Sequence, residues 1–403
     1  QNNRRYKYMG VELIQVPDTL SSSGNKIYFK VRAGNYTAKG HSLTAVIYVE
    51  NTPNSNIFTS LPEMNLDTDD SGYADIDISR IIHRRMKTEI PDINNTQVLQ
   101  LLKLSLRFKI IFTESWSQQT ASKETSIFTA IRSRINYSLY PSQKITDWLT
   151  EKNYLTQAGN LIETYPESIH YLTCIFKTPG KYIFKLTAHY NDQTHIEQIL
   201  STQEVLFANC AYIIPVGLKH RNLAIANKIL TQYDIEVTDE ANNTIFKKIT
   251  FQVIYKSRKC LIYVNRLGGI DTFFIEKQSN TLKIEKENYL QYLPDNYVTS
   301  DANMLSETTE ITDLYEANSG YISRTQQELS KELLISDYVF LATAKSFVAV
   351  NIEKGSFNLY NDTDDIYYTK FKYSPRLAGD FLLSANKSIK SYSVNDYNNN
   401  DYE

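Results

Sequence analysis

The residues most suggestive of chemistry lie in NLDTDDSGYADIDIS, Asn65 to Ser79. Asp67, Asp69 and Ser71 place oxygens at alternate positions, and Gly72 follows them. A calcium loop uses that spacing: ligands at positions 1, 3 and 5 converge on the ion, glycine at 6 permits the sharp turn, and a bidentate Glu at 12 completes the shell. Here position 12 is Ile78, in the buried phase of the strand that follows, and Asp75 and Asp77 fall on that strand's outer face. Asp67, Asp69 and Ser71 are therefore a calcium candidate with an incomplete ligand set. The simpler reading is a polar turn feeding a strand, with Gly72 as a structural turn residue.

Other reactive types are scattered. His189 and His195 come closest to metal-pair spacing, but Asn191 and Asp192 between them are turn residues, which places the two imidazoles in different phases of a surface hairpin. Cys174, Cys210 and Cys260 are single, widely spaced and odd in number, so neither a disulfide framework nor a CxxC zinc site is expected, and all three are assigned to the core. The glycine pair in NRLGGIDTF, Gly268 and Gly269, has no third glycine and no helical pattern after it, so it is a sharp turn and not a phosphate loop. Nothing singles out two of the 45 acidic residues as an acid–base pair. No catalytic residue, cofactor or enzymatic activity is expected.

The elements that carry these residues read as strands. Tyr is abundant at 30 residues and Gly scarce at 13, with Ile, Thr and Val throughout, a mixture that fits pleated, half-buried surfaces. KIYFKVR sets Ile27, Phe29 and Val31 against polar neighbours, SLTAVIYVE sets Leu43, Ala45, Ile47 and Val49, and LLKLSLRFKIIF sets Leu102, Leu104, Leu106, Phe108, Ile110 and Phe112. A period of two with one apolar face predicts antiparallel sheets packed on one side. ISRIIHRRMK is a short basic helix, with Ser79 as its expected N-cap and a solvated cationic face. Alternation fades between Ser117 and Asn160, where KITDWLTEKNYLTQAGN suggests a short helix and loop anchored by Trp148. It resumes around Thr178-Pro179-Gly180, where Pro then Gly suits a type II turn. TQQELSKELLIS begins a later helix, with Thr325 and Glu328 in capping-box register.

The expected fold is mainly β: tandem antiparallel β-sandwich domains with a few short helices. The expected order is an N-terminal sandwich with a short helix over 1–118, a connector over 119–160, a second sandwich over 161–255, a mixed β domain with one helix over 256–380 and a polar tail over 381–403. A net charge of −2 points to neither nucleic acid nor an anionic membrane as partner, and no run of 18 apolar residues exists to insert. The opening QNNRRYKYMG contains no hydrophobic segment that would argue for secretion.

SGNKIYFKVRAGNY, DSGYADIDISRII and above all YVNRLGGIDTFFIEK resemble tail-associated structural proteins of phages and prophages of Bacteroidetes, including the crAss-like group. The resemblance spans roughly residues 10 to 375 and rests on structural turns. It departs where relatives often carry Arg-Gly-Gly, because here Ser133 and Arg134 follow Arg132. It implies a virion component of the tail or baseplate, or a tail adaptor, assembled as a symmetric homo-oligomer beside neighbouring tail proteins. Such a protein would be found in the host cytoplasm during assembly. It brings no catalytic residues. Two alternatives remain: a carbohydrate-binding or host-receptor adhesin that uses exposed Tyr against surface glycans, and a glycan hydrolase.

Overall fold

The computed structural model describes residues 10–376 apart from 137–143, 291, 294–295, 297, 299–303, 356, 358–359 and 362–365. The chain is mainly β, with 49% strand and 7% helix in several antiparallel sheets. The polar tail expected over 381–403 lies outside the described residues.

The first sandwich packs a three-stranded sheet (Glu12–Gln15, Tyr28–Arg32, Tyr73–Asp77) on a seven-stranded one centred on Ser42–Glu50 and Ser105–Trp116. The alternating residues meet as predicted. Ile27, Phe29, Val31, Ala45, Ile47, Phe108, Ile110 and Phe112 are all fully buried in one core. The segment where alternation fades still adds two strands to this sheet, Gln119–Glu124 and Phe128–Ile131. Small and polar side chains such as Thr120, Ala121 and Ser122 hide their period.

The second sandwich faces a five-stranded sheet, with Gly180–Tyr190 and Leu230–Asp239 at its centre, onto Tyr171–Phe176, Cys210–Pro215 and Leu99–Leu101. LLKLSLRFKIIF is therefore not one strand. Leu99–Leu101 pairs with Ala211–Ile213 of the second sandwich, whereas Ser105–Trp116 belongs to the first. The break is held by Glu89, whose carboxylate accepts the Leu102 and Lys103 amides at 2.8 and 3.3 Å. Leu102, expected on the buried face, is 47% exposed in that bend. Tyr171–Phe176 and Cys210–Pro215 are buried on both faces. One face meets the sandwich core and the other packs on Cys260, Ile262 and Ile270 of the third sheet.

That third sheet has seven strands, ordered Ile270–Ile275, Lys259–Val264, Val339–Ala342, Phe347–Ile352, Lys370–Pro375, Met304–Asn318 and Lys277–Leu290. Leu333 of the longest helix packs with Leu261, Tyr263, Val350 and Tyr373 of the sheet.

Three helices are described: α1 (Ser79–His83), α2 (Ile145–Thr150) and α3 (Arg324–Ile335). Two expected caps are corrected. The N-cap of α1 is Ile78, with no side-chain cap; Asp77 instead accepts the Ser79 amide at 3.0 Å. The capping box of α3 is Ser323 with Gln326, which exchange bonds of 3.2 and 3.0 Å, while Thr325 and Glu328 fall inside the helix. In α2, Trp148 anchors as expected, its Nε1 donating to the Tyr154 carbonyl at 2.8 Å.

Candidate functional site: a projecting arm and a basic patch

Each residue marked in the sequence has a defined place. Asp69 Oδ1 accepts the Ser71 and Tyr73 amides at 2.8 and 2.9 Å. Those bonds, Tyr73's first, hold its carboxyl below the usual carboxylate range. The loop is thus tied to its own backbone, and no group of three or more His, Cys, Asp or Glu with metal-site geometry exists among the described residues. Gly72 has φ +80°, and a β-carbon there would lie 2.4 Å from the Tyr36 ring. His189 and His195 are direct cross-strand partners with ring centroids 6.2 Å apart, so they share a face and are not in different phases. His189 Nε2 lies 3.1 Å from Asp234. The three cysteines are buried and unbridged. Pro179-Gly180 joins strands of two different sheets, and Gly180 does not take the positive φ a type II turn requires. The chain crosses between layers there instead of folding into a hairpin.

The Gly268-Gly269 turn does more than reverse the chain. Gly268 has φ +89°, and a β-carbon on it would sit 2.0 Å from the Arg132 carbonyl oxygen; one on Gly269 would sit 2.0 Å from that of Leu155. Thr88 Oγ1 donates to the Gly268 carbonyl at 3.0 Å. Asn265 spans the turn, accepting the Gly269 amide at 3.0 Å and donating to Leu155 O and Asp271 at 2.8 and 2.7 Å. Burial pushes the Asp271 carboxyl up to about 6. Buried Glu332 of α3 pairs with Arg266. The turn locks the third sheet to segments of both sandwiches, and this role has no spacing signature.

A cavity of about 430 Å³ lies where Leu161–Thr164 of the second sandwich approaches the third sheet and α3. Tyr165, Phe274 and His170 wall it, with Tyr165 and Phe274 4.5 Å apart. Its charged groups are already engaged: Glu163 accepts Gln326 at 2.9 Å, and Arg258 lies over Tyr165 while pairing with Glu276 at 2.7 Å.

A hairpin arm is formed by Lys277–Leu290 and Met304–Asn318, paired from Lys277↔Asn318 to Leu290↔Met304 with a register shift between Glu287 and Asn288. Its neighbour Lys370–Pro375 pairs only with Tyr315–Asn318. From Thr281↔Leu314 outward the two strands have no third strand beside them, a reach of roughly 30 Å at ~3.3 Å per residue. Leu282, Ile284 and Leu290 fall on one face, with Lys286 and Asn288 between the last two, and Met304, opposite Leu290, joins them. They are 54%, 51%, 73% and 56% exposed. Lys283 and Glu285 pair at 2.5 Å on the other face. Apolar side chains grouped on one face normally mark contact with a core, and no core of the described residues includes these four.

A cationic surface lies at α1. Ile78, Ile82 and Met86 are buried in the first core, while Arg80, Arg84, Arg85 and Lys87 are exposed. The Lys87 amide donates to the Lys103 carbonyl at 2.9 Å, bringing exposed Leu102 and Lys103 alongside. None of these five cations makes an ion pair among the described residues. Beneath them Arg132 donates to the Met86 carbonyl at 2.9 Å. Burial, then the Arg132 charge, lowers the pKa of His83, whose Nδ1 lies 2.8 Å from Ser23 Oγ.

No protein-family model matches the chain, and no curated protein matches it. Among solved structures, similarity is found to the YadV chaperone, at 9% identity and a TM-score of 0.18, over 60% of this chain and all of that one. It is also found to the periplasmic chaperone SfaE, at 11% identity and a TM-score of 0.16, over 61% of this chain and all of that one. Overlaps this weak carry no argument. No described helix is long and apolar enough to cross a membrane.

Proposed function

We propose that the protein is a structural subunit that assembles with other copies of itself, as a tail, baseplate or tail-adaptor component of a phage virion. The observation that carries the assembly reading is the arm: a two-stranded projection with Leu282, Ile284, Leu290 and Met304 in solvent on one face. An isolated two-stranded ribbon is marginally stable in water, so a ribbon of this length with an apolar stripe is built to be covered. The phage-tail setting rests on the sequence resemblance alone. The glycan-binding alternative has its best location in the cavity walled by Tyr165 and Phe274, but the pairing of Glu163, Gln326 and Arg258 leaves it second.

The test is the mass of the purified chain by light scattering over a wide concentration range, with negative-stain imaging of whatever forms. A closed ring or other symmetric oligomer is expected. A strictly monomeric chain at every concentration, joined to specific retention on a glycan array, would transfer the assignment to the adhesin reading.

A further inference from the structure

The arm presents an edge as well as two faces. Lys277–Leu290 is the terminal strand of the third sheet, paired on one side with Met304–Asn318 and with no described strand on the other. An open edge offers a row of backbone N–H and C=O groups to any strand that can align with them, and proteins blunt such edges with proline, bulges, short runs or charge. Lys277–Leu290 runs for 14 residues without Pro or Gly. Its one register shift is taken up by an extra residue on the other strand, Glu307, so the edge strand itself is regular. The long edge of the second sandwich, His195–Val205, is by contrast interrupted by an extra residue at Leu200. What guards the arm's edge is charge, in Lys283, Glu285 and Lys286, all exposed.

That charge pattern is self-complementary in one register. Two copies of a strand pair antiparallel about a two-fold axis normal to the sheet. Directly opposed residues share a face and faces alternate along the strand, so the axis passes between one residue and its own copy, and that residue fixes every other pair. Centring on Lys283 or on Lys286 sets a lysine against its copy, and centring on Glu285 sets a glutamate against its copy. Centring on Leu282 sets Lys283 against Thr281 and Glu285 against Ser279. Centring on Ile284 sets Ile284 against Ile284 and Lys283 against Glu285 twice, and it lays the aliphatic stem of Lys286 beside Leu282 twice. Within one copy Lys283 and Glu285 already pair at 2.5 Å, so the second copy completes a four-charge cluster of alternating sign.

We infer that two copies join edge to edge, residues 281–287 of one pairing antiparallel with residues 281–287 of the other about Ile284, which makes one continuous sheet of the two third sheets. The inference rests on the assembly reading and gives it a geometry. Seven opposed residues exchange about six to eight backbone hydrogen bonds. Leu282 and Ile284, 54% and 51% exposed, then form with their copies one apolar strip across the joint. The contact is isologous, so any larger particle that uses it in every copy contains an even number of copies.

The experiment uses the full chain as Lys283→Glu, as Glu285→Lys and as both together. Both positions are exposed, and melting curves matching the parent establish that folding is intact. Each single variant opposes like charges at both symmetry-related pairs, so its dimer is expected to be weaker than the parent's by about tenfold or more in analytical ultracentrifugation. Mixed, the two single variants restore opposite charges at both pairs and are expected to form a 1:1 heterodimer of parental affinity. The double variant exchanges the signs and is expected to recover as well. A readout independent of charge is Ile284→Cys, expected to give a covalent dimer on mild oxidation because the axis sets that position against its copy. Asn280→Cys, whose copies would lie about 26 Å apart at ~3.3 Å per residue, is expected to give none, and the native cysteines are buried.

Single variants that keep the parent's mass overturn the proposal and leave the assembly reading intact. So does a mixture or a double variant that stays dissociated, an Ile284→Cys chain that forms no covalent dimer, or an oligomer of odd copy number. A parent that is monomeric at every concentration overturns both. If Leu282→Asp dissociates the parent and the charge variants do not, the arms pack face to face and the edge pairing fails.

Discussion

Two positions show how single residues decide more than their types suggest. Gly268 combines φ +89° with a carbonyl oxygen where a β-carbon would go, so Gly268→Ala adds both backbone strain and a clash with rigid main chain. A loss of about 3 kcal/mol or more in chemical denaturation is expected. Gly40 also has positive φ, but open space surrounds it, so Gly40→Ala should cost only about 1 kcal/mol. His170 is the second case. It is 5% exposed, its Nε2 has no hydrogen-bond partner, and its ring packs on Phe251 and Phe274 at 5.2 and 5.3 Å. Burial pushes its pKa down to about 3, and that of His220 down to about 4. In the unfolded chain both protonate near pH 6.5, so between these values the unfolded state binds more protons than the folded one. Stability is complete above about pH 6.5 and is lost as the pH falls toward the folded values. His170→Phe should flatten the fall in melting temperature between about pH 6.5 and 4, removing a dependence of order 3 kcal/mol. An unchanged slope would show that His170 does not carry it.

At the scale of elements, the arm separates from the rest. Beyond Thr281↔Leu314 its strands pair only with each other among the described residues, so they contribute little to the cores. Replacing residues 283–312 by a two-residue Asn-Gly turn should alter folding stability by less than about 1 kcal/mol while abolishing association. If that shortened chain unfolds, the arm is a folding element and not an assembly element. α3 shows the opposite dependence. Leu333 is fully buried in the third core, and Glu332, 1% exposed, pairs with Arg266 beside the glycine turn. Helix and turn therefore hold each other in place.

The whole molecule is knitted across its layers. Leu99–Leu101 leaves the first sandwich to pair with Cys210–Pro215 of the second, and that sheet is buried on its other face by Cys260, Ile262 and Ile270. The Arg132, Leu155 and Thr88 contacts of the glycine turn add a further tie. One cooperative calorimetric transition is expected for the full chain despite its length. Two well-separated transitions would mean that these ties are weaker than the individual cores.

Strand identity was legible because the physics of a half-buried strand is local. Ile27-Phe29-Val31 and Phe108-Ile110-Phe112 announce a buried face by period alone, and both stretches are buried as read. The turn at Asp69 was legible for the same reason, since an Asp at a turn bonds amides two and four residues on. What escaped depends on partners distant in sequence. LLKLSLRFKIIF reads as one strand because nothing in its period records that Glu89 will bend it at Leu102. The alternation of Leu282 and Ile284 begins like that of a core strand, although Lys286 and Asn288 then break it. Period reports which residues share a face, and only the tertiary structure decides whether the chain has anything to set against that face.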